Sequence, residues 1–209
     1  MSLLTALRTT TTRYDDPWRH WEIEGPLSEA MVAEVAATDV PEGERAYDGT
    51  RAADNGGGGV DAALRCYVTP DNVAEFPALS GLIDELRDID TVDFVERMIE
   101  RPLRGQHLRI EVIVDRHGFW LQPHKDIREK LMSMQLYVNL AAEAENLGTD
   151  IFNADLEVVK TIPYRNNWGY MFSAGEDTWH GLEKKFVRKE RRSILINYVT
   201  FETGWTLPT

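Results

Sequence analysis

Gln122-Pro123-His124-Lys125-Asp126 is the stretch whose reading decides the fold. On an extended strand, residues two apart point the same way. His124 and Asp126 therefore share one side, and Lys125 takes the other. The residues just before, Phe119-Trp120-Leu121, read as the start of the strand that delivers them. An imidazole beside a carboxylate, joined by the imidazole of His180 from a later strand, makes a 2-His-1-carboxylate set. That set suits Fe(II) and leaves coordination positions open. It also demands a scaffold that folds distant strands against one another.

The surrounding sequence has that grammar. Upstream, Leu108, Ile110, Val112 and Val114 alternate with Arg109, Glu111 and Ile113, and Asp115-Arg116-His117-Gly118 reads as a turn. Downstream, strands are expected at 132–140, 149–152, 156–162, 168–173 and 193–201, with a turn at Asn146-Leu147-Gly148. Many short strands separated by turns argue for a sandwich or barrel. The first half is different. Trp18–Glu24 alternates and reads as a strand. Ser28 is placed to cap a helix whose apolar face is Met31, Val32 and Val35. Leu79, Leu82, Ile83 and Leu86 follow helical spacing. Thr91 is expected to start another helix, with Val95, Met98 and Ile99 on one face and Pro102 closing it. Residues 39–61, rich in glycine, read as a long loop, either a solvent loop or a lid. Residues 1–16 have no clear assignment: Thr9–Thr12 reads equally as β-prone or as a frayed end. The expected fold is mostly β with N-terminal helices (α+β), around a double-stranded β-helix core, the jelly roll of cupin type. One domain is expected over 1–209, with 1–105 as helical and loop support and 106–201 as the core.

Composition narrows the function. The net charge of −12 is a poor match to a nucleic-acid backbone. The single cysteine, Cys66, can form no intrachain disulfide, which suits the cytoplasm. It lies in Leu64–Val68, which reads as a strand, and is expected to be a small buried residue. No apolar run is long enough to span a bilayer, and the start lacks the pattern of a signal peptide. The expected partner is a small-molecule substrate, with no nucleic acid and no membrane. Of the five histidines, His117 falls in a turn, and His20 and His107 have no carboxylate at ligand spacing. That leaves His124 and His180.

Residues 106–201 resemble the core of the 2-oxoglutarate-dependent Fe(II) oxygenases, in particular the branch containing the prolyl hydroxylases. The family's His-x-Asp, distal His, and Arg with a small residue two positions on fall on His124, Asp126, His180, Arg191 and Ser193. Met134-Gln135-Leu136-Tyr137-Val138-Asn139 is similar to the strand whose tyrosine reaches the distal carboxylate of 2-oxoglutarate, here Tyr137. Gly148-Thr149-Asp150-Ile151-Phe152 resembles the Gly-Gly-x-Leu strand, with Thr149 in place of the second glycine. The resemblance implies Fe(II) held by His124, Asp126 and His180, with 2-oxoglutarate and O2 as cosubstrates. It implies release of succinate and CO2. An aspartate at 126 favours hydroxylation over halogenation.

Arg191 and Arg192 point to opposite faces and compete for the cosubstrate carboxylate; the family pattern selects Arg191, leaving Arg192 a solvated or edge charge. Tyr137 as a plain buried aromatic competes with its ligand role. Trp179 reads as a substrate wall or as packing. Arg109 and Glu111 share a strand face and read as substrate contacts or as cross-strand partners. Lys184, Lys185, Arg188, Lys189, Arg191 and Arg192 form a basic run in an acidic chain, either a solvated loop or a lure for anions. The expected activity is hydroxylation of a small polar metabolite or biosynthetic intermediate. The alternatives are a protein or peptide side-chain hydroxylase, or a non-catalytic cupin-like metal-binding protein.

Overall fold

The computed structural model describes residues 1–41 and 62–209. Most of the Gly-rich loop expected at 39–61 lies outside the described residues. Two antiparallel sheets face each other, with helices packed on the outside of the larger one. The helices are α1 (Leu3–Thr9), α2 (Glu29–Ala37), α3 (Pro77–Arg87) and α4 (Ile89–Ile99). The larger sheet runs β1 (Thr11–Tyr14), β2 (His20–Glu24), β9 (Trp168–Phe172), β6 (Lys130–Val138), β11 (Glu190–Val199), β4 (His107–Arg116) and β12 (Trp205–Thr206). β3 (Ala63–Tyr67) also pairs with β4. The smaller sheet runs β5 (Leu121–His124), β10 (His180–Leu182), β7 (Asp150–Phe152) and β8 (Val158–Thr161). This is the double-stranded β-helix with N-terminal helices that the strand grammar indicated.

Period-2 alternation explains why the larger sheet is buried on both faces. On β4, Leu108, Ile110, Val112 and Val114 face the helices and join the main core, while Arg109, Glu111 and Asp115 face the other way, and all are buried. β6 repeats the pattern, with Met132, Met134 and Leu136 toward the core and Ser133, Gln135 and Tyr137 toward the smaller sheet. The helices seal the apolar face. Leu79, Leu82, Ile83 and Leu86 of α3 are all buried, each contributing roughly 1.5–3 kcal/mol. The Tyr198 hydroxyl, on β11, donates to the Leu86 carbonyl at 2.6 Å and ties the end of α3 to the sheet.

Several local expectations are corrected. Residues 1–16 hold a helix and a strand: Ser2 caps α1, its hydroxyl accepting from the Thr5 amide, and β1 pairs with β2. α4 begins at Ile89, because the Asp88 carboxylate accepts from the Asp90 amide there, and ends on Glu100 in the left-handed region, ahead of Pro102. β5 stops at His124, so Asp126 sits just beyond the strand rather than on it. Arg192 is neither solvated nor an idle edge charge. It pairs with Glu190, and its Nη1 donates to the Val35 and Thr38 carbonyls at the end of α2. There it complements the negative end of that helix. The basic run is largely consumed in internal contacts, with Lys185 on Asp150 and Arg188 on the Ala141 carbonyl.

Candidate metal centre

His124 and His180 are Cα partners across β5 and β10, and their rings lie 4.3 Å apart. The close approach of these strands depends on Gly181. A Cβ there would stand 2.7 Å from the Leu121 carbonyl oxygen and 3.0 Å from that of Gln122. Asp126 turns back toward the pair from the loop after β5. The three side chains each offer a ligand atom, all within 4.8 Å of one another.

The imidazoles are held the same way. His124 Nδ1 meets the Gln122 carbonyl at 3.0 Å, and His180 Nδ1 meets the Thr178 carbonyl at 2.9 Å. A carbonyl partner makes Nδ1 the protonated nitrogen and leaves Nε2 as the lone-pair donor, the arrangement that orients metal-ligating histidines. Burial pushes both rings toward the neutral form that ligates: His124 falls to about 3, the neighbouring His180 adding in the same sense, and His180 is lowered too. Burial alone would raise Asp126. The Lys130 ammonium and then His180 outweigh it and hold the carboxyl well below the usual range. Lys130 Nζ donates to Asp126 Oδ1, and the Ser133 hydroxyl donates to Oδ2, both at 2.5 Å. Behind Ser133, Asn197 Nδ2 donates to its Oγ at 2.9 Å, and Arg109 Nη2 donates to Asn197 Oδ1 at 3.2 Å. Two neutral imidazoles and one fixed carboxylate, with spare lone pairs, fit a divalent ion with N and O preference.

The cavity holding these ligands, about 100 Å³, extends to Arg191. Arg191 is buried. Its Nε donates to the Leu147 carbonyl and its Nη1 to Asp115 Oδ2, each at 2.6 Å. Arg65 Nη1 reaches the other oxygen of Asp115 at 2.8 Å. Two guanidiniums thus share one fully buried carboxylate at the cavity wall, a donor set that suits one end of a diacid such as 2-oxoglutarate.

The remaining expected site residues divide. Glu111 lines the cavity. Arg109 does not: its guanidinium lies between the Tyr67 and Phe201 rings, at 5.6 and 5.5 Å, and serves the chain behind Asp126. Of its two readings, substrate contact or cross-strand partner, the bond to Asn197 across β11 matches the second. Trp179 lies under Lys125 Nζ at 4.8 Å, outside the cavity. Tyr137 is fully buried, and its hydroxyl donates to Thr149 Oγ1 at 3.0 Å and accepts from the Thr149 amide at 2.9 Å. Ser193 is buried behind Gln135, whose Nε2 donates to it at 3.0 Å. Thr149 and Gln135 are the residues that face the cavity there, bonded to each other at 3.0 Å. Sequence reasoning missed Lys130, Ser133, Asp115 and Arg65. The polar residues Ser133 and Gln135, alternating with methionines on an otherwise apolar strand, were a usable signal for Ser133.

No protein-family model matches the chain, and no curated protein does. Solved structures do. A prolyl-4-hydroxylase from Pseudomonas putida superposes with TM-score 0.56 at 15% identity, covering 95% of this chain and 97% of that one. A Trichoplax adhaerens prolyl hydroxylase, in complex with a peptide fragment of hypoxia inducible factor, gives 0.55 at 14%, covering 95% and 87%. HygX from Streptomyces hygroscopicus, with nickel and 2-oxoglutarate bound, gives 0.56 at 14%, covering 89% and 85%. The Trichoplax neighbour, which holds a peptide, corrects the expected small-molecule partner. The chain has the fold of the prolyl-hydroxylase branch of the 2-oxoglutarate/Fe(II) dioxygenases, with a 2-His-1-carboxylate triad where its two sheets converge.

Proposed function

We propose that this chain is an Fe(II)- and 2-oxoglutarate-dependent dioxygenase that hydroxylates a side chain of a peptide or protein. The observation that carries the reading is one cavity with His124, Asp126 and His180 at one end and a buried guanidinium, Arg191, at the other. A protein that only stored a metal has no use for that second group. His124, Asp126 and His180 would hold the iron, and Arg191 would grip the distal carboxylate of 2-oxoglutarate through charge-assisted hydrogen bonds. Tyr137 would support that carboxylate through Thr149, and Ser193 through Gln135. When bound, iron and 2-oxoglutarate supply the oxidising power, releasing succinate and CO2 as O2 is consumed. The chain's own work is to orient. Ser133 and Lys130 fix the carboxylate, and the buried walls limit water. A peptide bound to the Trichoplax enzyme and 2-oxoglutarate bound to HygX support the substrate class and the cosubstrate. We take residues 1–209 to work as a single domain, and the lone cysteine suits action in the cytoplasm. Among the described residues, no helix is long and apolar enough to cross a membrane.

The test is succinate release from Fe(II)-loaded protein across peptide pools, with His180→Ala as the blank. Peptide-stimulated succinate and a gain of one oxygen in a peptide support the reading. Stimulation by no peptide, with iron bound, would overturn it.

A further inference from the structure

Outside the cavity, on the far side of the Asp126 loop, a second hollow of about 420 Å³ opens to the surface. It shares Asp126 as a lining residue with the metal cavity, so the two spaces lie side by side. Its size is that of a ligand cleft. Its charged walls are Arg101, Lys125 and Arg128 against two acids, Glu176 and Asp126, and the Asp126 carboxylate is already taken by Lys130 and Ser133. In a chain of net charge −12 this is a local reversal of sign beside the proposed active site.

The three cations are weakly held. Lys125 Nζ donates to the Glu176 carbonyl at 3.0 Å and lies 3.5 Å from its Oε2. Arg128 Nη2 is 3.6 Å from Glu176 Oε1, with the Arg128 side chain 92% exposed and that of Glu176 82% exposed. Among the described residues, Arg101 donates to a backbone carbonyl, that of Ala174, at 2.9 Å. Exposed pairs of this length contribute little, and solvent or another anion replaces them readily. Glu176 thus stands as an exchangeable carboxylate among donors that an incoming one can take over. Lys125 is positioned for this by Trp179, whose ring lies beneath its ammonium.

We infer that this hollow receives an acidic segment of the peptide substrate, next to the residue presented at the metal. Resting on the peptide-hydroxylase reading, the inference adds a substrate class: sequences with Asp or Glu flanking the modified residue. Charge complementarity here sets selectivity and encounter rate more than total affinity.

The experiment uses three degenerate peptide pools sharing a randomised centre, with Asp/Glu, Ser/Gly or Lys flanks. Equilibrium binding to the full chain is read by fluorescence anisotropy, and succinate release by the Fe(II)-loaded chain gives kcat/KM. At low salt, the acidic pool should bind and turn over about tenfold better than the Lys pool, the value of two or three exposed pairs. Salt should erase the difference. Arg128→Glu, at a solvent-facing position, should abolish or reverse the preference while leaving peptide-independent 2-oxoglutarate turnover unchanged. Equal binding of acidic and basic pools, or a preference that survives Arg128→Glu, would overturn the inference. So would a single-stranded oligonucleotide displacing the acidic pool more strongly than free acidic peptide does. Selective acidic binding with no peptide-stimulated succinate would sink the hydroxylase reading and leave the hollow's assignment standing. Turnover indifferent to flanking charge would do the reverse.

Discussion

Replacing Asp115 by asparagine separates the two roles of Arg191. In the folded chain, Asp115 is fully buried and takes one guanidinium on each oxygen, Arg191 at 2.6 Å and Arg65 at 2.8 Å. Removing one partner from a buried ion pair costs about 3–5 kcal/mol, because the remaining charge stays desolvated. Asp115→Asn should therefore lose about that much stability in urea, with two guanidiniums left facing one cavity. The lost charge is also what a diacid can supply. In the wild type, 2-oxoglutarate meets guanidiniums that Asp115 already pairs; in the variant it meets the same guanidiniums with one carboxylate charge fewer beside them. Saturating 2-oxoglutarate, with a redox-silent divalent ion at the triad, should therefore stabilise Asp115→Asn more than wild type. The excess should be about 1.5–3 kcal/mol, one further charged hydrogen-bonded contact. The assay is a pair of urea titrations on each protein, with and without the diacid. Arg65→Gln, which removes a partly exposed cation and leaves Arg191 paired, is the control that should show no excess. An identical diacid increment in wild type and Asp115→Asn would refute the reasoning, since Arg191 would then not face the cosubstrate.

Ser133→Ala removes the hydroxyl that holds Asp126 Oδ2 and should weaken divalent-ion affinity by about 10–100-fold with little change in melting temperature, measured by calorimetric metal titration. Gly181→Ala places a methyl against the Leu121 and Gln122 carbonyls, pushing β5 from β10; metal binding should be lost, with circular dichroism testing that the sheets persist. Metal-free protein should lose stability as pH falls below 6.5. His124 and His180 are held neutral in the fold, with His124 at about 3, so unfolding takes up protons between those values. Asp126, held low, contributes only below the usual carboxylate range, so a flat urea midpoint from neutral pH down to pH 5 would contradict the burial of these rings.

What could be read from the sequence follows its periodicities. Alternation on β4 marked a two-faced strand, and α3 showed its stripe plainly, so sheet and helix were legible. His124 and Asp126 were legible for a partly different reason than supposed. The i, i+2 argument required a strand through Asp126, yet β5 ends at His124, and it is Lys130 and Ser133 that draw the carboxylate inward. Such contacts join residues four and seven apart through a turn, where neither strand nor helix period applies. Asp115 was hidden differently. Beside Arg116-His117-Gly118 it looks like a turn residue, and only pairing with Arg191 across β4 and β11 makes it part of the site. Arg109 and Glu111 share a strand face, but only Glu111 lines the cavity, because neighbouring rings from Tyr67 and Phe201 capture the arginine. The cationic hollow near Asp126 had no sequence signal at all, since Arg101, Lys125 and Arg128 come from two separate stretches.

The most direct test of the central claim is optical. Under anaerobic conditions, Fe(II) and then 2-oxoglutarate are added to the protein, and the visible spectrum is recorded. A metal held by His124, Asp126 and His180 with open positions, beside a guanidinium that seats the diacid, should give a weak charge-transfer band. The band should be absent in His180→Ala, and in Arg191→Ala it should require far more 2-oxoglutarate while iron binding persists. Iron that binds without any such band, or an equal band in His180→Ala, would contradict the account.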